Sequence, residues 1–269
     1  MLHKIVETKK EELATLKSTT SMNQLIDEAK KRGETRGFIH SLTQSDRAVS
    51  VIAEVKKASP SKGVIRESFH PVEIAQAYAA ARAEAISVLT DERYFQGSLD
   101  YLRRVRDAVE LPIIRKDFLI DELQVAEARA NGADCILLIA AILEEEQLRH
   151  LYQTATELSL DVLIEVHDHG ELESVFRAVT PRLLGINNRN LRTFSTDLQT
   201  TRDLIKEVPA NIPVVSESGI SKREDVQFVQ EAGARAVLIG EHFMRQNDIA
   251  KAVTSLMGER LIGKEAGYV

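Results

Sequence analysis

Eight short runs rich in β-branched and apolar residues recur along the chain, each followed by a stretch with helical periodicity. They occupy 49–56, 85–90, 112–117, 135–140, 161–166, 183–188, 213–218 and 236–241. Most are nearly continuous in apolar residues, as parallel strands buried on both faces must be. Between them, 121–131 sets Leu123, Val125, Ala126 and Ala130 roughly on one helical face. Gly132 and Gly233 stand where a helix has just ended. Asp168, Asp197 and Ser221 stand where N-caps belong. Eight such units in 269 residues predict a closed (β/α)8 barrel, the TIM-barrel architecture, over 49–269. The rival open doubly wound sheet usually carries a Gly-x-Gly-x-x-Gly turn after its first strand, and none is present here.

Residues 1–48 are expected to form an N-terminal helical extension, so that the whole makes one structural domain. Leu2, Ile5, Val6, Leu13 and Leu16 mark one amphipathic helix, and Met22, Leu25, Ile26 and Ala29 a second. Two placements are open: a plug at the bottom of the barrel, or a position near the active-site mouth. Within the first helix, Lys9-Lys10-Glu11-Glu12 reads as a mixed, solvated face. Glu144-Glu145-Glu146 opens a helix, where acids favour the dipole.

Composition narrows the function. With 35 basic against 41 acidic residues the chain lacks the basic footprint of a nucleic-acid binder. One cysteine excludes an intramolecular disulfide framework and a multi-cysteine zinc site. The longest clean apolar run, 135–143, is far short of the ~20 residues that cross a bilayer. The first ten residues carry charges where a signal peptide needs its apolar stretch. A cytoplasmic protein with no membrane partner is expected.

Strand side chains alternate between the barrel interior and the helix layer. In the first strand Val51, Ala53 and Val55 make an apolar outer face, which turns Ile52, Glu54 and Lys56 inward. The same alternation turns Lys116 inward on the third strand, Glu165 on the fifth and Glu217 on the seventh, with Asn187 in the corresponding place on the sixth. The five ionisable residues come from alternate strands and lie at their C-terminal ends, where barrel active sites are built. A structural plug of ion pairs needs no such bias. Two lysines facing three carboxylates are instead suited to acid–base work, each shifting its neighbours' proton affinity. Glycines after the last two strands, Gly219 and Gly240, stand where barrel phosphate sites are made. A phosphorylated small molecule is the expected substrate.

These residues fall in motifs that resemble one family. Val51-Ile52-Ala53-Glu54-Val55-Lys56-Lys57-Ala58-Ser59-Pro60-Ser61-Lys62-Gly63 looks like the fingerprint of the indole-3-glycerol phosphate synthases of tryptophan biosynthesis. Tyr94-Phe95-Gln96-Gly97-Ser98, Ile114-Arg115-Lys116-Asp117-Phe118, Leu163-Ile164-Glu165-Val166, Gly185-Ile186-Asn187-Asn188-Arg189-Asn190-Leu191 and Ser216-Glu217-Ser218-Gly219-Ile220 are similar to its later motifs. The length is that expected of the monofunctional form. Glu241 departs from the pattern, standing where some members carry serine.

The resemblance implies a lyase that converts 1-(2-carboxyphenylamino)-1-deoxyribulose 5-phosphate to indole-3-glycerol phosphate, CO2 and water, without metal or organic cofactor. It implies Lys116 as the acid for ring closure, and Lys56 with Glu165 as the acid–base pair of later steps. Glu54 and Glu217 would tune the lysines and hold substrate hydroxyls, with Asn187 beside them. Which lysine serves dehydration stays open. Arg189 and Lys56 are candidates for the substrate carboxylate, Phe95, Phe118, Leu137 and Leu191 for its aromatic ring, and Ser59, Ser218, Gly219 and Gly240 for its phosphate. Other enzymes of tryptophan biosynthesis are conceivable partners.

Other features carry less. His167-Asp168-His169 has the spacing of zinc ligands in some barrels, but Asp168 is well placed as an N-cap, so metal is not expected. Cys135, in an apolar strand, reads as core rather than nucleophile. Two alternatives share the scaffold: a phosphosugar isomerase such as phosphoribosylanthranilate isomerase, and a catalytically silent phosphate-binding barrel. The lysines on strands one and three argue against the first, and intact Lys56, Lys116 and Glu165 against the second.

Overall fold

The computed structural model of the chain describes residues 1–191 and 193–258; residues 192 and 259–269 of the expected barrel segment lie outside the described residues. Among the described residues, eight parallel strands close on themselves: β1 (Ser50–Val55), β2 (Ala85–Leu89), β3 (Ile113–Lys116), β4 (Cys135–Ile139), β5 (Asp161–Val166), β6 (Leu184–Asn187), β7 (Val214–Glu217) and β8 (Ala236–Ile239). β1 pairs with both β2 and β8, which completes the ring. Each strand lies inside the run expected from the sequence. Helices return the chain between them, and the architecture is a (β/α)8 TIM barrel.

Strand alternation sorts the core into two shells. Val51, Ala53 and Val55 pack outward with residues such as Ile74, Tyr78 and Phe243 in the layer under the helices. Ile52, Ile114, Leu137, Leu163, Val215 and Leu238 fill the barrel interior. Cys135 belongs to that interior shell, as the sequence predicted. Greasy side chains therefore occupy most of the axis, and the charged ones are left to the C-terminal rim.

Three helices precede the barrel, and they divide the two placements that the sequence left open. α1 (Leu2–Thr19) crosses the C-terminal mouth, where Leu2 and Ile5 line the central cavity. α2 (Met22–Lys31) packs Leu25 beside Leu123, Ala126 and Ala130 on the barrel's outside. α3 (Phe38–Thr43), a short helix that the apolar pattern did not single out, plugs the bottom. Its Phe38 and Leu42 are fully buried in the interior shell. Ser50 Oγ donates to the Leu42 carbonyl at 2.6 Å, and Ile39 N–H to Asp161 Oδ2 at 2.9 Å, which fixes the plug to the starts of β1 and β5.

Two local expectations are corrected. Lys9 is not on a solvated face: it is 2% exposed. Its ammonium lies 2.8 Å from Asp91 Oδ2, 2.9 Å from Asp117 Oδ1 and 2.8 Å from Glu12 Oε2. The reason is positional, because Lys9 is four residues from both Ile5 and Leu13 and so shares their stripe. Lys10, Glu11 and Glu12 are exposed. Ser221 is not an N-cap either. The helix after β7 runs Arg223–Ala232 behind Lys222, and Asp225 reaches back to accept from Ser221 N–H and Lys222 N–H. Asp168 does cap its helix, His169–Ala178, by accepting from Glu171 N–H at 3.0 Å. Asp197 acts from one position further out than expected, accepting Gln199 N–H at 2.9 Å ahead of Leu198.

No helix among the described residues is long and apolar enough to cross a membrane.

Candidate active site

The C-terminal rim opens into a cavity of about 590 Å³. Every one of the fifteen residues singled out from the sequence lines it, although they come from eight separate segments of chain. Glu54 sits one residue before the end of β1, Lys116 ends β3, Glu165 sits one residue before the end of β5, Asn187 ends β6 and Glu217 ends β7. Lys56 stands just beyond β1 and points back, with Nζ 2.5 Å from Glu54 Oε1.

Lys116 is the hub of the charged floor. Its ammonium is 3.2 Å from Glu165 Oε2 and 3.6 Å from Glu217 Oε2. Burial alone would lower its pKa, but Glu165, Glu217 and Glu54 override that and raise it, so Lys116 is a cation at neutral pH. Burial pushes the two facing carboxyls up, and their cations then separate them. Lys116, with His167, holds Glu165 well below the usual carboxylate range. Glu217, against Lys116 alone and with Glu165 and Glu54 as like charges, ends well above it. The two carboxyls are thus pushed in opposite directions, Glu165 towards its ionised form and Glu217 towards its protonated form.

Two glycines make room for these acids. A Cβ on Gly185 would run into Glu217 Oε1, and a Cβ on Gly240 into Glu54 Oε1. Gly240 was expected to clear space for a phosphate. The structure gives its missing side chain a second use, since the Glu54 carboxylate already fills that volume.

Around the floor, Phe95 and Phe118 set their rings 6.0 Å apart, and Leu137 and Leu191 continue the apolar wall. Arg189 N–H donates to Asn187 Oδ1 at 3.0 Å, which turns the Arg189 segment over the cavity. Ser218 and Gly219 both have left-handed backbones, at φ 66° and 82°. Such a conformation is costly for serine, and Asn188 holds it. Asn188 Nδ2 donates to the Glu217 and Ser218 carbonyls at 2.9 and 3.1 Å, and its Oδ1 accepts from Thr201 Oγ1 at 2.8 Å. Ser59 faces the same cavity from the short hairpin 58–64 in the loop after β1.

Four contributors escaped the sequence reading. Asn188 is one, hidden beside the more conspicuous Asn187. Tyr78, fully buried, donates its hydroxyl to the Glu54 carbonyl at 2.9 Å and steadies the end of β1. Lys9 pins α1 beside Lys116. His167, weighed only as a metal ligand, puts Nε2 3.3 Å from Glu165 Oε1, whereas His169 is turned away to Glu207 at 2.8 Å. Period-two alternation from Glu165 would have turned His167 inward, and that signal was available.

Comparison with known proteins agrees on one family. The family profile described as indole-3-glycerol phosphate synthase matches residues 2–256. The indole-3-glycerol phosphate synthase of Bordetella pertussis is 53% identical over 250 residues, covering 92% of this chain and 95% of its own. That of Priestia megaterium is 49% identical over 259 residues, covering 96% and 98%. Among solved structures, a 3-hexulose-6-phosphate synthase superposes with a TM-score of 0.62 at 17% identity, over 78% of this chain and 98% of that one. At that identity the likeness concerns the fold alone.

Proposed function

The chain belongs to the indole-3-glycerol phosphate synthase family, and from that premise we propose how its own residues carry the reaction. The enzyme is a carboxy-lyase of tryptophan biosynthesis acting on a small phosphorylated substrate. In 1-(2-carboxyphenylamino)-1-deoxyribulose 5-phosphate, an aryl carbon must attack the sugar ketone. Negative charge then develops on the ketone oxygen, and a positioned cation in a water-poor site stabilises it. Lys116 is that cation. The Glu165 carboxylate beside it keeps it protonated until the oxygen takes the proton.

Loss of CO2 returns electrons to the ring and restores its aromaticity. Dehydration follows, in which one acid protonates the departing hydroxyl and one base removes a proton. Glu165, held ionised, suits the base, and Lys56, paired with Glu54 at 2.5 Å, suits the acid. Glu217 carries a proton and is suited to donate to a substrate hydroxyl, with Asn187 beside it. Phe95, Phe118, Leu137 and Leu191 take the aromatic ring, Arg189 and Lys56 its carboxylate, and Ser59, Ser218, Gly219 and Gly240 the phosphate. The reading places the enzyme in the cytoplasm, since a phosphorylated substrate does not cross membranes unaided; fractionation tests this.

The observation that carries the assignment is Lys116 held between Glu165 and Glu217. The test is turnover of the substrate followed by indole fluorescence. Lys116→Ala is expected to lower kcat by about 10²–10⁴-fold, the usual contribution of one positioned proton donor, with circular dichroism unchanged. A well-folded Lys116→Ala with near-normal kcat would move the closure acid elsewhere.

A further inference from the structure

His167 follows β5 directly and shares an inward face with Glu165, two residues earlier. Its side chain is 8% exposed and lies between two carboxylates. Nε2 is 3.3 Å from Glu165 Oε1, and Nδ1 is 3.0 Å from Glu171 Oε2. Glu171 is fixed in turn, because the His167 backbone N–H donates to the same Oε2 at 2.7 Å. A neutral imidazole offers one N–H and one lone pair. Nδ1 is hydrogen-bonded to Glu171, and Nε2 is buried 3.3 Å from Glu165 Oε1 without a hydrogen bond of its own among the described residues. A neutral imidazole would therefore set a lone pair within 3.3 Å of a carboxylate in either tautomer, and a proton on both nitrogens compensates both acids.

Glu165 is consequently held from both ends. Oε2 faces Lys116 at 3.2 Å and Oε1 faces His167. The two cations differ in one respect. Lys116 lines the cavity, whereas His167 does not. A substrate reaches the first and leaves the second untouched.

We propose that His167 is a positioning residue for the synthase reaction: a permanent imidazolium that orients the Glu165 carboxylate and keeps it ionised when Lys116 turns to the substrate. This rests on the reading of Glu165 as a base. During ring closure Lys116 gives its proton, or its best hydrogen bond, to the ketone oxygen. Glu165 is then a buried carboxylate that has lost its strongest compensating charge, and burial by itself favours its protonated form. A protonated Glu165 is useless as a base. The charge of His167 is independent of the substrate, and its own neighbours keep it. Burial would lower the imidazole's pKa, but Glu165 and Glu171 together raise it to about 10.

Two measurements on the intact enzyme test this. In 15N-histidine-labelled wild-type protein, His167 is expected to show two protonated ring nitrogens at pH 8; a neutral imidazole at pH 7 overturns the proposal. His167→Gln keeps an N–H donor near Glu165 and removes the charge. It is expected to lower kcat with KM within about twofold, and to move the acid limb of the kcat profile up by about one pH unit, equivalent to about tenfold in the ratio of charge states. A pH profile that superposes on wild type overturns it. Glu165→Gln, assayed alongside, separates the two readings. If it is inactive while His167→Gln has the wild-type profile, the positioning role alone falls. If Glu165→Gln turns over normally, the base assignment falls and takes this proposal with it. Should His167→Gln fail to fold, the nitrogen resonances decide.

Discussion

Lys9 Nζ, on a helix that is not part of the barrel, lies 2.9 Å from Asp117 Oδ1, one residue beyond Lys116. Both side chains are 2% exposed. Asp117 also meets Arg115 at 3.2 Å and accepts from Thr90 Oγ1 at 2.5 Å, and Lys9 reaches Asp91 at 2.8 Å. The strand end that presents Lys116 is thus tied to the helix that roofs the cavity. Stability of the extension and geometry of the catalytic floor share one buried ion cluster.

Lys9→Met is expected to destabilise the fold by roughly 3–5 kcal/mol, the range for breaking a buried ion pair so that its partners stay buried and uncompensated. Urea unfolding measures it. Because Leu2 and Ile5 of the same helix line the cavity, KM should rise as well. A loss below 1 kcal/mol would mean that the cluster is solvated when the protein is in solution.

The Lys9 effect should depend on pH in a stated direction. Burial pushes the Asp117 carboxyl up, but Arg115 and Lys9 override it and hold its pKa at about 2, below the ordinary 3.8. A depressed folded value contributes stability that is present above 3.8 and lost as pH falls through about 2. The gap between wild type and Lys9→Met is therefore expected to shrink across that window. Unfolding at several acid pH values checks it, and a gap that widens on acidification is the contrary result.

Glu217 gives the opposite sign. Its folded pKa lies well above the ordinary 4.5, with burial the leading cause. Above 4.5 the folded protein binds more protons here than the unfolded chain, so this group makes stability fall as pH rises until Glu217 ionises. Glu217→Gln resembles the protonated form and cannot ionise. Relative to wild type, the variant should gain stability from pH 5 towards pH 9. A constant difference over that range would place Glu217 in the ordinary carboxylate range.

Gly240→Ala separates the two uses of the glycine after β8. If it only lets backbone approach phosphate, the substitution raises KM and spares kcat. The Glu54 carboxylate occupies the volume that the new methyl needs, and Glu54 holds Lys56. The expected outcome is a fall in kcat larger than the rise in KM, measured by steady-state kinetics at saturating substrate. A pure KM effect would return Gly240 to a phosphate role alone.

Much of this site can be read from the chain because a strand has a period of two. Once Val51, Ala53 and Val55 are recognised as an outer face, Glu54 and Lys56 have no direction left but inward, and the same holds for Lys116, Glu165 and Glu217. The C-terminal position of each charge in its run then places all five at one end of the barrel. These inferences need only local alternation and a buried outer surface, both of which are properties of single segments. The motifs around Lys56 and Asn187 added the family in the same way.

What tertiary structure decided is the neighbour of each such group. Lys9 lies on an apolar stripe, yet a lysine there is tolerable only because Asp91 and Asp117 arrive from two distant loops to compensate it. Gly240 looks like an ordinary turn until barrel closure pairs Ala53 with Ile239, a register that carries Glu54 alongside Gly240. His167 shares a face with Glu165 by alternation, but its charge depends on Glu165 lying 3.3 Å from Nε2 and on Glu171 folding back from the next helix. A charge state is set by burial and by every charge within a few ångströms, and those distances exist only once the eight strands have closed.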